Sequence, residues 1–253
     1  MADPQDRVDR TANGIQPCRP ARKARKRRLE DDSSISVSLA RIAFADGIHD
    51  IPLQLCPPLS KHFVSEDLGQ EVRLDYMRSL PSKDLLSWAL NLTKANVSQF
   101  YDSCPGWSWS DRTKRAELKD AKAHFLVATV ATVVPGGAQS NNGPEQKNSR
   151  HPIGFIHLRY EVERDEPVVY IYEFQIEPEY QGFGVGQFMM NWVETLAKYL
   201  KFTSIMLTVF KENIAAFKFY KKAGFNLDQD SPGSCDLDGT SAHGYEILRK
   251  GLV

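Results

Sequence analysis

"EFQIEPEYQGFGVGQFMMNWVETL", residues 173–196, begins as an apolar strand, passes through three glycines in five residues, and continues as an amphipathic helix. A backbone that bare between a strand and a helix has two readings. One is a tight turn. The other is an anion site, where unhindered N–H groups at a helix start meet negative charge. A dinucleotide fold would show G-x-G-x-x-G with an acidic residue ending the next strand; here the pattern is Q-G-x-G-x-G and the next strand ends in Phe210-Lys211. A nucleotide-triphosphatase loop needs Gly-Lys-Ser/Thr, which the stretch lacks. Taken alone, the triplet Gly182, Gly184, Gly186 is a weak signal.

The surrounding pattern is clearer. "SKDLLSWALNLTKANVSQFYDSC" (82–104) carries Leu86, Leu90, Val97 and Tyr101 at helical spacing, with Ser82 as its N-cap. "SDRTKRAELKDAK" (110–122) reads as a second, mostly exposed helix. "HFLVATVATVV", "PIGFIHLRYEVE" and "PVVYIYEFQIE" are strand-like, and a polar loop at 134–152 separates the first two. After the glycines comes a helix to about Lys201, then a strand "SIMLTVF", a helix "NIAAFKFYKKAG" and a last strand "YEILRKGL". This order predicts an α/β (α+β) fold in one domain over 83–253: a mixed, mostly antiparallel sheet flanked by helices.

N-terminal to that domain, residues 1–35 read as a disordered tail. Its run "RPARKARKRRLEDD" (19–32) fits a solvated tail, an import signal, or a contact with nucleic acid or the ribosome. In residues 36–82, "ISVSLARIAF" is strand-like and "LCPPLS" a break; the segment is expected to pack on the domain, and its role stays open. Lys+Arg and Asp+Glu balance at 32 each, so net charge alone points to no polyanionic partner. Four scattered cysteines without metal-ligand spacing predict reduced thiols, an intracellular protein and no metal. No apolar run is long enough to span a bilayer, so no membrane partner is expected. A monomer is expected.

Gln181-x-x-Gly184-x-Gly186, followed by Asn213-x-x-Ala216-x-x-Phe219-Tyr220-x-x-x-Gly224-Phe225, resembles the GCN5-related N-acetyltransferase (GNAT) superfamily. The resemblance implies acetyl-CoA as co-substrate, its pyrophosphate held at Gln181, Gly182, Phe183, Gly184, Val185, Gly186 and Gln187. The physics agrees: the positive end of a helix and its unpaired donors face an anion, and Gln181 can add a side-chain donor. "FYDSCPGWSWSDRTKR" (100–115), "YIYEFQIE" (170–177), "MLTVFKEN" (206–213) and "YEIL" (245–248) further resemble the N-alpha-acetyltransferase D family. That family acetylates the N-terminal serine of histone tails beginning Ser-Gly-Arg-Gly, those of histones four and 2A. The likeness covers roughly 83–250.

Such chemistry needs a thioester bound, a neutral amine presented to it, and one proton removed. An α-amino group has a pKa near ~8, so a modest base suffices. The resemblance and the apolar setting of "VVYIYEFQI" both point to Glu173, with Tyr170 and Tyr172 expected to alternate with Ile171 and Glu173 across the strand. The resemblance implies that the backbone of Phe174, Gln175 and Ile176 meets the pantetheine amides, with Thr208 and Asn213 as further acetyl-CoA contacts. Tyr220 either protonates the departing thiolate or is a half-buried aromatic. For the acceptor, the resemblance implies Tyr101, Trp107, Tyr170, Tyr172 and Tyr245, together with Glu161, Val162 and Glu163 on "RYEVERDE" (159–166). Glu161 stands where the family has aspartate, the residue that meets the substrate arginine. A solvated acidic hairpin is the competing reading of Glu163 to Glu166. Histone tails as substrate imply nucleus and cytoplasm. Two other functions stay open: a lysine or small-amine acetyltransferase, and a non-catalytic acetyl-CoA- or chromatin-binding module.

Overall fold

In a computed structural model, the structure describes residues 31–48, 60–132, 150–235 and 243–252. Along the chain run α1 (Asp31–Asp46), β1 (His62–Ser65), β2 (Gln70–Met77), α2 (Lys83–Ser103), α3 (Asp111–Leu118), β3 (His124–Ala131), β4 (Arg150–Glu163) and β5 (Glu166–Ile176). A short 3-10 turn at Pro178–Tyr180 leads into α4 (Val185–Tyr199). β6 (Ser204–Phe210), α5 (Ile214–Lys222), β7 (Asn226–Leu227), α6 (Pro232–Cys235) and β8 (Tyr245–Gly251) complete the order. One sheet holds all eight strands in the order β1-β2-β3-β4-β5-β6-β8-β7. Every pairing is antiparallel except β5 with β6. The mixed, mostly antiparallel sheet expected from the element order is present, in a single domain.

Helices cover both faces. Ser82 caps α2, its hydroxyl accepting from the Leu85 N–H at 3.0 Å, and the helix stops at Cys104, which turns extended before Pro105 and Gly106. The face carrying Ala89, Leu90 and Leu92 packs with Phe125, Val127 and Phe155. On the opposite face α4 lays Val185, Met189, Val193, Leu196 and Ala197 against Ile156, Leu158, Val169 and Ile171. That stripe repeats every three or four residues, as a one-sided helix requires.

Several expectations need correction. "ISVSLARIAF", expected as strand, lies in α1, which begins at Asp31, inside the stretch expected to be a tail. Its inward residues Ile35, Ser38, Ile42 and Ala45 recur at helical, not alternate, spacing, while Val37, Leu39 and Phe44 stay exposed. The small Ser38 lets the helix approach the β4–β5 hairpin, where its hydroxyl donates to the Asp165 carbonyl at 2.7 Å. Asp46 then holds His124 Nε2 at 3.0 Å, and His124 Nδ1 meets the Tyr76 hydroxyl at 2.6 Å. β1 and β2 were not foreseen, so the sheet starts at His62 rather than after 83. Of the polar loop, Arg150 to Pro152 belong to β4. Residues 1–30 and 133–149, which include the basic run at 19–28, lie outside the described residues.

Gly154 sits where β4 approaches β5 closely. A Cβ there would lie 2.9 Å from the Gln175 carbonyl oxygen and 3.1 Å from Ile176 Cγ1. Gly154→Ala is expected to cost about 1–3 kcal/mol through overpacking against backbone. Urea unfolding measures it, and an unchanged midpoint would show that the ladder yields freely.

Candidate active site

The glycine turn is a built N-terminus. Gly184 is the N-cap of α4 with φ of 83°, and Gly182 has φ of 85°, a region L-residues avoid. No side chain caps the helix and its first turn holds no acid, so the leading N–H groups face outward under the helix dipole. The β1 strand braces the turn: Phe63 lies where a Gly184 Cβ would come within 3.2 Å, and Ser65 Oγ donates to the Phe183 carbonyl at 3.1 Å. This gives residues 62–65, whose role the sequence left open, a place in the site. A Cβ on Gly186 would press on Ile176 at 3.3 Å, which sets how closely α4 approaches β5. Gln181 does not aim its amide at the turn; its Nε2 donates to the Ile176 carbonyl at 2.9 Å. Gln187 bonds Asn191 along the helix at 2.7 Å.

Beside the turn, the parallel ladder ends at Ile171↔Leu207, whereas β5 continues to Ile176 and β6 to Phe210. The two strands part there; Phe174 keeps backbone groups on that side, whereas Gln175 turns its main chain to β4 and the Ile176 carbonyl already accepts from Gln181 Nε2 at 2.9 Å and Asn96 Nδ2 at 3.3 Å. The expected contact residues Thr208 and Asn213 both have partners within the protein. Thr208 shares a 2.6 Å hydrogen bond with the Tyr170 hydroxyl, and Asn213 caps α5 by accepting from the Ala216 N–H at 3.1 Å.

The expected alternation along β5 fails at one point, and that failure makes the site. The register pairs His157 with Glu173 but Leu158 with Ile171, so Tyr172 is an extra residue, a β-bulge. Before it, Val168 and Tyr170 face one cluster while Val169 and Ile171 face the α4 core; after it, Phe174 and Ile176 face that core. Tyr172 and Glu173 therefore project to the same side, toward α2 and α3.

There Glu173 is buried, at 5% exposure. Lys114 Nζ donates to its Oε1 at 2.5 Å, and Gln175 Nε2 donates to its Oε2 at 2.8 Å. Asn96 holds Gln175 in turn at 3.0 Å. Lys114 also donates to Glu117 Oε1 at 2.8 Å and to the Tyr101 hydroxyl at 3.0 Å. Burial works against the Lys114 ammonium, but Glu173, Glu117 and Tyr101 outweigh it and hold it well above the usual lysine range. Burial pushes the Tyr101 phenol up to about 12. α3, expected to be mostly exposed, buries Lys114, Glu117 and Leu118, because its inward charges are paired. Lys114 and Glu117 were missed: their spacing in a polar helix looks like any solvated pair, and nothing local points to Glu173.

The expected acceptor tyrosines come together. Tyr101 meets Trp107, Trp109 and Phe210 edge-on at 5.5, 5.3 and 4.9 Å, and Trp107 meets Tyr245 at 5.4 Å. Tyr170 and Tyr172 complete this wall at 5.5 Å. The Tyr172 hydroxyl donates to Glu161 Oε1 at 2.5 Å, while Arg159 lies 4.2 Å over the Tyr172 ring. Val162 alternates to the other face of β4, with Leu158 and Tyr160, so only its main chain belongs to the Glu161 side. Glu163 is largely buried beside the turn of the β4–β5 hairpin, not solvated as the competing reading had it. Tyr220 packs among Phe174, Phe219 and Phe225 on the α4 side of the sheet, opposite the Glu173 carboxylate. Burial, then the charge of Glu173, raises its phenol. Among the described residues no group of His, Cys, Asp or Glu could hold a metal, and no helix is long and apolar enough to cross a membrane.

A strand pair that parts ahead of a glycine-started helix, with a buried carboxylate alongside, frames the candidate site. Residues 94–225 match the Acetyltransferase (GNAT) family, and the chain belongs to it. The chain is 31% identical over 81 residues to the spermine/spermidine N(1)-acetyltransferase of Bacillus subtilis, a match over 32% of this chain and 51% of that protein. It thus spans about half the length of the curated relatives it matches. Among solved structures it is similar to Arabidopsis thaliana Naa50 in complex with the bisubstrate analogue CoA-Ac-MVNAL, at 20% identity and TM-score 0.44, over 71% of this chain and 97% of that one. Ard1 from Thermoplasma volcanium is similar at 16% identity and TM-score 0.45, over 71% and 98%.

His124 and His157 are held neutral, His157 well below the usual range by full burial and the nearby Arg159, His124 by burial that outweighs Asp46. Below about pH 6.5 the unfolded chain takes up protons that the folded chain refuses. Stability is therefore expected to fall with falling pH, by up to about 1.4 kcal/mol per pH unit for each histidine. Urea midpoints between about pH 7 and about 5.5 read the slope, and a flat response would place both rings in ordinary surroundings.

Proposed function

We propose that the protein is an N-terminal acetyltransferase of the D type, acting on histone tails that begin Ser-Gly-Arg-Gly, with Glu173 as general base. The observation that carries this reading is the bulge at Tyr172, which sets the Glu173 carboxylate beside the wall of Tyr101, Trp107, Tyr172 and Tyr245. A narrow aromatic entrance suits a small free terminus, and Glu161 at the Tyr172 hydroxyl offers a carboxylate to an arginine further along. The N-terminus of α4 and the parted strands fit acetyl-CoA: open backbone donors at Gly184 to Gln187, no competing cap, and the β5 edge at Phe174 beyond the end of the parallel ladder.

Bound acetyl-CoA supplies an activated acyl carbon and a thiolate leaving group. The chain's residues do the rest. Tyr101, Trp107 and Tyr245 exclude water and orient the incoming amine. Each Glu173 oxygen accepts one hydrogen bond in the fold and has a second lone pair with which to take the amine proton. Tyr220 is the candidate donor to sulfur. An α-amine near pKa ~8 suits so modest a base, whereas a lysine near ~10.4 asks for a stronger one. The basic run at 19–28 then fits nuclear import or contact with nucleic acid or the ribosome, with residence in nucleus and cytoplasm.

Acetylation of a Ser-Gly-Arg-Gly peptide, of the same peptide blocked at its α-amine, and of spermidine separates the readings. The free terminus alone should react. Equal labelling of the blocked peptide through its lysines would favour a lysine enzyme, and preference for spermidine the small-amine reading suggested by the Bacillus relatives. Acetyl-CoA binding with no acceptor modified would mark a binding module. Glu173→Gln is expected to lower turnover at least ~10²-fold with little change in acetyl-CoA affinity. Glu161→Ala should weaken the arginine-containing peptide more than a version with alanine third; equal losses would remove the arginine contact.

A further inference from the structure

A carboxylate paired with one ammonium is a poor base, because the opposite charge lowers its proton affinity by about one to three pH units. Lys114, however, is shared. Its Nζ donates to Glu117 Oε1 at 2.8 Å as well as to Glu173 Oε1 at 2.5 Å, and all three side chains are 5–7% exposed. We propose that Glu117 is a positioning residue of the base: by sharing Lys114 it leaves the buried cluster with one excess negative charge, which a single proton on Glu173 neutralises. The inference rests on the reading of Glu173 as general base.

The groups facing this cluster leave that balance intact. From α2 comes the neutral Tyr101 hydroxyl, and from β5 the neutral amide of Gln175. From β4 come His157, held neutral, and Arg159, whose guanidinium bonds Asp120 Oδ2 at 3.2 Å and the Glu117 carbonyl at 3.1 Å. Tyr220, from α5, is neutral as well. Arg159 hydrogen-bonds to neither carboxylate of the pair, so the ions joined directly are one ammonium and two carboxylates. Burial raises the Glu117 carboxyl, Lys114 opposes that rise, Glu173 adds to it, and the more distant charge of Arg159 opposes it least. Glu117 also borders a cavity of about 20 Å³ shared with Tyr101, Ser110 and Thr113, room for about one water. In the reaction the N–C bond forms as C–S breaks, and the proton released by the amine nitrogen lands on Glu173.

The test uses the full chain with Glu117→Gln, with Lys114→Met, and with both. It reads the acid limb of kcat/KM against pH and, independently of activity, the ¹³C NMR titration of the Glu173 carboxylate. Glu117→Gln cancels the excess charge, so both midpoints should move down by about one pH unit or more. Lys114→Met should move them up, and the double variant should reverse the Glu117→Gln shift. If Lys114→Met does not fold, the nearly isosteric Glu117→Gln decides alone. A Glu173 midpoint unchanged in Glu117→Gln overturns the proposal. If that midpoint moves as expected while Glu173→Gln stays fully active, the coupling stands and the reading of Glu173 as base falls.

Discussion

The bulge at Tyr172 is the constraint on which the rest of the site depends. In an unbroken strand Glu173 would follow Ile171 into the core under α4, among Val185, Met189 and Leu207. An ionised carboxylate there would lack any partner, at a cost of several kcal/mol. One inserted residue turns it to the other face. The turn creates a demand of its own, since the carboxylate is still buried and needs a cation. Lys114 answers it from α3, and so a short helix rich in charge is anchored to the sheet by its inward side chains rather than by apolar ones alone. Removing one member of such a buried pair typically costs about 3–5 kcal/mol, which makes the docking of α3 and the burial of the Glu173 carboxylate one and the same structural fact.

The two halves of the site are built differently. The half proposed for the donor is local: strand, glycines and helix follow one another within residues 173–196, with Phe63 and Ser65 as outside braces. The half proposed for the acceptor is assembled from α2, the bend after it, β4, β5, β6 and β8, and aromatic edges hold it together. A rigid local turn suits a ligand whose anionic part is always the same. A wall gathered from distant segments lets shape be tuned at many positions without disturbing the turn.

This difference explains what could be read from the sequence. Ser82 capping α2, the three strands from His124 to Ile176, and the α4 and α5 helices follow from periodicity and caps, which act over a few residues. The α1 helix was misread because Ile35, Val37 and Leu39 alternate as in a strand; only packing against the β4–β5 hairpin shows that Ser38 and Ala45 are the inward residues. β1 is only four residues long, and its hairpin with β2 is marked by little beyond Gly69, with φ of 61°. The resemblance singled out the tyrosines that the fold brings together, whereas the bulge leaves no mark in composition. Lys114 and Glu117 were invisible for the same reason: their partner lies 59 residues from Lys114 in the chain.

The parting of β5 and β6 gives the sheet an edge in its interior. Ordinary edges invite pairing with other molecules and are blunted by charge or proline. This one is flanked by strands and helices on both sides, so it is closed to another sheet yet open to a slender extended ligand. A molecule whose amides occupy it extends the hydrogen bonding of the folded chain and of no unfolded one. Its binding energy therefore adds to the resistance of the fold to melting as RT ln(1 + [L]/Kd), and the supply of ligand becomes a determinant of how long the protein survives.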